Sequence, residues 1–290
     1  MRAFMPALLV LALTACVSTA EVPPAVVVPA ESTVGVSDDL QALRDVLADN
    51  GERSTLLVLD IDDTLLTSTT FFGSDSWVSW QGGLASGDKQ RVPCLWDVLA
   101  LAHEAGTQRA TQDDAPALVN GIGIDKLILT ARSPGARAAT VRELEHAGYR
   151  MPDPLDGKAV GMIHEWRPDI SSPGVTVSYH DGLFMVAGQD KGVMLLDLLE
   201  RLDLMQRYQR VVLVDDGEGN ISDMQSALRG TAIGYHGLHY TRITKLPEDG
   251  KPLDRKLQRQ GGDAWKAWRT LLKATAPERL KRLDAGACAY

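Results

Sequence analysis

Three short stretches of the chain are continuously apolar after a polar first residue, and each one runs into acidic or hydroxyl side chains. The stretches cover residues 55–59, 126–129 and 210–214. An apolar run without alternation is typical of a strand that is buried on both faces of a parallel sheet. Helical spacing of apolar residues and a weaker strand signal at 232–235 complete the pattern. The helical stretches lie at 38–48, 135–147, 192–205 and 221–228. Strands alternating with helices predict an α/β fold built on a doubly wound parallel sheet.

Polar residues stand where each predicted strand ends. Asp60 follows the first strand, Thr130 ends the second, and Asp215 and Asp216 end the third. The carboxyl ends of parallel strands meet at one edge of the sheet, where such folds bind their ligands. We therefore expect these four side chains to line one crevice.

About sixty residues separate the first two strands, which is too long for a simple crossover. We predict a cap inserted at about residues 68–124, and an elaborated crossover without a lid function is the alternative. Its tryptophans, Trp77, Trp80 and Trp96, suit either stacking on a base or sugar or packing inside the cap.

The N-terminal residues 1–15 have the charged start and short apolar run of an export signal, and the run is too short to span a bilayer. Leu13-Thr14-Ala15-Cys16 resembles the bacterial lipobox, so we expect a lipid on Cys16; a plain signal peptide with an incidental cysteine is the alternative. A Pro- and Val-rich tether at 16–35 would then precede a domain at 36–290. The expected location is the cell envelope, with the lipid in the outer membrane and the domain facing the periplasm.

The chain carries a net charge of −8, from 30 basic and 38 acidic residues. This balance argues against a nucleic-acid polymer as partner, because phosphate backbones require clustered Lys and Arg. Besides Cys16 the chain has Cys94 and Cys288. An oxidising compartment would permit a disulfide between them, but sequence spacing leaves pairing and two free thiols equally open.

The segment Leu59-Asp60-Ile61-Asp62-Asp63-Thr64-Leu65 reads as a strand followed by D-x-D-x-T. Here the sequence resembles the haloacid dehalogenase-like (HAD) phosphatases. Thr130, Lys191 and Asp215-Asp216 match the second, third and fourth motifs of that family in order. The resemblance implies a Rossmann-like core with a cap. The stretch Tyr179-His180-Asp181-Gly182-Leu183-Phe184, together with the Asp-Lys-Gly and Asp-Asp elements, resembles a poorly characterised bacterial lipoprotein branch of the superfamily.

The resemblance also implies roles for four residues. Asp60 would attack phosphorus and form an aspartyl-phosphate. Asp62 would donate a proton to the leaving oxygen and then take one from water. Lys191 and the Thr130 hydroxyl would hold the phosphoryl oxygens.

A magnesium ion is the cofactor that the resemblance implies, because clustered carboxylates and a phosphate need a cation with oxygen ligands. Asp60, the backbone carbonyl of Asp62 and Asp216 would bind it directly. Asp215 would bind through a water or orient the site, and Asn220 would support the loop.

The expected activity is hydrolysis of a small phosphomonoester, for which a nucleotide is one candidate. Phosphotransfer to an alcohol and a non-catalytic envelope lipoprotein are the alternatives. Thr64 is expected to order the turn, and Asp63 to be a solvated or supporting acid. Arg132 could bind a substrate phosphate or pair with an acid, and both readings stay open.

Overall fold

The computed structural model describes residues 31–48, 54–158, 161–169, 171–246 and 252–289. The predicted signal peptide and the lipidation site at Cys16 lie outside these residues. Among the described helices, none combines the length and apolarity that crossing a bilayer requires.

In the described part of the chain, eight strands form one sheet in the order β1-β10-β9-β2-β5-β8-β7-β6, and β3 and β4 form a small antiparallel pair. The strands are β1 (Ser32–Ser37), β2 (Thr55–Leu59), β3 (Leu66–Ser68), β4 (Gln108–Ala110), β5 (Asp125–Thr130), β6 (Met162–Trp166), β7 (Val175–His180), β8 (Leu183–Met185), β9 (Arg210–Asp215) and β10 (Gly234–Tyr240). In the large sheet, β7 runs antiparallel to both of its neighbours, β6 and β8. The other pairings between the described strands of this sheet are parallel.

Helices cover both faces of this sheet, which confirms the predicted α/β class. They are α1 (Ala42–Ala48), α2 (Asp75–Gly83), α3 (Leu95–Glu104), α4 (Ala115–Gly121), α5 (Arg137–His146), α6 (Lys191–Arg201), α7 (Glu218–Leu228), α8 (Arg255–Thr275) and α9 (Pro277–Asp284).

The central strand β2 shows why a continuous apolar run forms here. All five of its residues are buried. Leu56 and Val58 join the core that contains residues of α6 and α7, whereas Leu57 and Leu59 join the core that contains residues of α4 and α5. Successive side chains of a strand point to opposite faces, so both faces must be apolar when both are covered.

The inserted segment does not form a core of its own. Phe71, Phe72, Trp77 and Trp80 pack together with residues of the C-terminal helix α8, including Trp268. A disulfide joins Cys94, just before α3, to Cys288 in the C-terminal tail. The insertion and the C-terminal helices therefore form one structural unit. Of the two possibilities for the cysteines, the structure shows the paired one.

The tryptophans of the insertion take different positions. Trp77 is fully buried and Trp80 nearly so, which favours the packing interpretation for both. Trp96 is 55% exposed, so the packing interpretation does not hold for it.

Several predicted boundaries differ from the structure. Residues 32–35, predicted to belong to the tether, lie in β1, because the whole strand Ser32–Ser37 pairs with β10. The strand predicted at 232–235 is β10, which continues to Tyr240. The helix predicted to end at 205 ends at Arg201. The end of the predicted cap, α4, packs against the sheet instead, through residues such as Leu118.

Candidate active site

Asp60 lies at the carboxyl end of the central strand. Its N–H donates to the Val214 carbonyl at 3.0 Å, which continues the ladder between β2 and β9 by one residue. The residue is 5% exposed. Because the backbone is held by this hydrogen bond, the carboxylate is fixed at the edge of the sheet where β9 also ends.

Lys191 reaches this carboxylate from the first turn of α6. The Asp190 side chain accepts from the Val193 N–H at 3.0 Å and so caps the helix, which fixes where α6 begins. A Cβ on Gly192 would lie 2.8 Å from the Asp223 carbonyl oxygen, so only glycine lets α6 approach α7 this closely. This approach brings the buried ammonium of Lys191 to Asp60 and to Asp215.

Asp215 is fully buried, and both of its oxygens are engaged. Oδ2 accepts from Lys191 Nζ at 2.6 Å. Oδ1 accepts from the Gly217 N–H at 2.9 Å and from Asn220 Nδ2 at 2.8 Å. These contacts hold the Asp215 carboxylate in one orientation, and the Asn220 contact joins it to the first residues of α7.

Asp216 is joined to the turn after β2. Its N–H donates to Thr64 Oγ1 at 3.1 Å, so the Thr64 hydroxyl orders both the turn and the loop after β9. Its carboxylate forms an ion pair with Lys245. Burial raises the pKa of Asp216 to about 7; Lys245 opposes this shift, and the nearby Asp215 and Asp75 add to it.

Arg132 pairs with Asp62, as one of the two interpretations of this arginine expected. Its Nε and Nη2 donate to the two oxygens of Asp62 at 2.9 and 2.7 Å, and its Nη1 donates to Thr140. Burial acts to raise the pKa of Asp62, but the charge and hydrogen bonds of Arg132 lower it to about 2. The Arg132 N–H also donates to Thr130 Oγ1 at 3.1 Å, which ties the predicted hydroxyl to the same site.

Asp63 is a buried acid rather than a solvated one. It is 4% exposed, accepts from Thr67 Oγ1 at 2.7 Å, and lies 3.5 Å from Lys245 Nζ. Burial raises its pKa, and these two contacts act against the shift.

Two residues near the site had no signal in the sequence. Lys245 lies in the segment after β10 and belongs to no motif. His103, on α3, is 4% exposed, and its Nδ1 has no partner among the described residues. Burial lowers the pKa of His103 to about 3, with the Arg132 charge acting in the same direction, so its imidazole is neutral.

The residues present fit a divalent cation. Oxygens of Asp60, Asp215 and Asp216 lie within 4.8 Å of one another. Burial raises the pKa of Asp60 well above its usual range, against the effect of Lys191, and the neighbouring carboxylates add to the shift. The ion pairs of the site join six carboxylates to three cations, leaving a formal excess of three negative charges. A cation with oxygen ligands would offset this excess.

Comparisons with known proteins give a family but no activity. No curated protein matches the chain. A solved structure of a HAD family hydrolase from Deinococcus radiodurans R1, with bound phosphate and sodium, matches at 16% identity and a TM-score of 0.34. That match covers 76% of this chain and 95% of the other, and it is too distant to assign residues or an activity. The model of a family described as "Protein of unknown function (DUF2608)" matches residues 37–279, so the chain belongs to that family.

Proposed function

We propose that this protein hydrolyses a small phosphomonoester through an aspartyl-phosphate on Asp60. One observation carries the proposal. The residues that match the four HAD motifs lie up to 156 positions apart in the chain. They meet at one edge of the sheet, around the buried contact between Lys191 and the carboxylates of Asp60 and Asp215. A buried cluster of acids lowers stability unless it is paired. Buried carboxylates whose pKa values are raised by burial and by one another are typical of functional sites.

Asp60, Lys191 and Thr130 have different roles in the transfer of the phosphoryl group. The Asp60 carboxylate attacks phosphorus, and the Lys191 ammonium stabilises charge on the phosphoryl oxygens. The Thr130 hydroxyl accepts from the Arg132 N–H, so its own proton is available to a phosphoryl oxygen. Hydrolysis of the aspartyl-phosphate by water then restores Asp60.

Asp62 keeps the role of acid and base in this proposal, with one condition. At a pKa of about 2 its carboxyl is ionised at neutral pH, so it holds no proton to give in the resting state. Proton donation requires the Arg132 contact to loosen when the substrate binds. The negative charge of a phosphate beside Arg132 would act in that direction.

A magnesium ion is part of the proposal, with Asp60, Asp216 and the backbone carbonyl of Asp62 as its ligands and Asp215 as the residue that orients them. Bound there, it would supply positive charge against the repulsion between the carboxylates and the phosphate.

The disulfide supports an exported location for the protein. Disulfides persist in the periplasm and outside the cell and are rare in the cytosol. Together with the lipobox at Cys16, this supports a domain held in the cell envelope by its N-terminal lipid. The lipid itself and the outer-membrane location rest on the sequence alone.

The test is hydrolysis of p-nitrophenyl phosphate by the chain that begins at Val17, which retains β1. We expect turnover with Mg²⁺, none with chelator, and none in Asp60→Asn, which keeps the shape of the side chain but cannot attack phosphorus. Circular dichroism confirms that the variant is folded. Wild-type rates in Asp60→Asn would refute the nucleophile, and no turnover with any divalent metal would favour the non-catalytic alternative. Product analysis with added alcohol separates hydrolysis from phosphotransfer.

A further inference from the structure

Lys245 connects three separate parts of the molecule at the candidate metal site. Its ammonium lies 2.7 Å from Asp75 and 3.5 Å from Asp63, and it also pairs with Asp216. Asp63 belongs to the turn after β2, Asp75 to the first turn of α2 in the insertion, and Asp216 to the loop after β9. A lysine that no sequence motif predicts therefore contacts the core and the insertion together.

The backbone on both sides of Lys245 is anchored. The Thr241 N–H donates to the Ser37 carbonyl at 2.9 Å. The Leu246 N–H donates to the Ser76 hydroxyl at 3.0 Å, and Ser76 is buried. Since both ends of the segment are fixed, the ammonium is held among the three carboxylates even though its side chain is 43% exposed.

Asp216 belongs to two acidic groups at once. Its carboxylate lies with Asp60 and Asp215 in one group and with Asp63 and Asp75 in the other. A divalent cation in the first group and the Lys245 ammonium in the second would share this carboxylate and repel each other.

We propose that Lys245 is a positioning residue that acts as an internal cation: it neutralises the outer acidic group, holds Asp216, and weakens the binding of a divalent cation to the inner group. This inference rests on the proposed function for the identity of the inner site. Lys245 would then stabilise the protein when no metal is bound, and it would also lower the affinity of the inner site for metal.

The two effects have opposite signs when the charge is removed. The metal-free protein loses a cation that contacts three carboxylates, so it becomes less stable. The inner site loses a repelling charge, and we expect its dissociation constant for Mn²⁺ to fall by about tenfold or more. A residue with only a structural role would lower stability without tightening metal binding.

The experiment is titration of Mn²⁺ into the full-length chain in detergent at pH 8.5, with free Mn²⁺ measured by electron paramagnetic resonance. Wild type is compared with Lys245→Met, with Lys245→Arg, which keeps the charge, and with Lys126→Met, which removes a lysine whose ammonium donates to the backbone carbonyls of Val119 and Ile122. Lys245→Gln replaces Lys245→Met if that variant does not fold. Of these three variants, we expect only Lys245→Met to bind Mn²⁺ more tightly than wild type. We also expect Lys245→Met to have a lower melting temperature than wild type in chelator.

Unchanged or weaker binding in Lys245→Met overturns the inference, and so does tighter binding in Lys245→Arg. Aryl phosphate turnover by the same wild-type preparation tests the proposed function separately. If turnover is absent while Lys245→Met binds Mn²⁺ more tightly, the phosphatase proposal fails and the role of Lys245 stands. Absence of Mn²⁺ binding in every protein overturns the role of Lys245 and the metal site together.

Discussion

Replacing Lys191 with methionine removes the cation between two buried carboxylates and leaves a side chain of similar length. Lys191 is 2% exposed and contacts Asp60 and Asp215, which are 5% and 0% exposed. Removing one partner of a buried ion pair typically costs about 3–5 kcal/mol, because the remaining charge is left uncompensated. Since a domain is stable by only about 5–15 kcal/mol, we expect Lys191→Met to lose a large fraction of its free energy of unfolding.

The loss should depend on pH, and the sign follows from Asp60. Its pKa is already raised above the unfolded value, and removing Lys191 raises it further. A group whose pKa is higher in the folded state binds more protons there, so stability falls as the pH rises through that folded pKa. The deficit of Lys191→Met relative to wild type should therefore be larger at pH 8 than at pH 5.

Urea unfolding followed by circular dichroism at pH 5 and pH 8, in chelator, measures both quantities. Lys126→Met is the matched control, because Lys126 Nζ donates to the carbonyls of Val119 and Ile122 and contacts no acid in the site. Its loss should be smaller and similar at both pH values. A loss below about 1 kcal/mol in Lys191→Met, or an equal loss at both pH values, would refute the account of a buried cation that compensates the two acids.

Two further predictions concern the cysteines. The double variant Cys94→Ser/Cys288→Ser should lose about 3–5 kcal/mol of unfolding free energy, because the bond closes a long loop in the unfolded chain. Reduced wild type should match it in urea unfolding, and a variant as stable as oxidised wild type would show that the bond contributes nothing. Cys16→Ser should move from the membrane to the soluble fraction on cell fractionation, since the predicted lipid is lost. Continued membrane binding would remove the lipoprotein prediction.

The central strands and their acidic ends were predictable because their signals are local. The run at 55–59 must be apolar on both faces, and the position of Asp60 follows from where that run stops. The same reasoning placed Thr130 and Asp216. The motifs then specified which side chains should meet, and the structure brings Asp60, Lys191 and Asp215 into contact.

The remaining features depend on partners far away in the chain. Ser32–Ser37 is a strand only because it pairs with β10, some two hundred residues later, so its composition alone indicated a tether. Lys245 gives no signal, because a lysine in a loop is usually solvated. The Asp62–Arg132 pair was one of two open possibilities, since the direction of a long side chain is not set by its sequence position.

The hydrophobic core shared by the insertion and α8 has a consequence for biosynthesis. Phe71, Phe72 and Trp77 emerge from the ribosome more than 190 residues before Trp268, a partner that helps to bury them. Until the last helices arrive, this aromatic surface lacks the packing that α8 supplies, and exposed apolar surface is prone to aggregation in a growing or newly exported chain. Folding of the insertion therefore waits for synthesis and export of the C-terminus. A chain truncated before α8 should need a chaperone to stay soluble even though its sheet strands are complete.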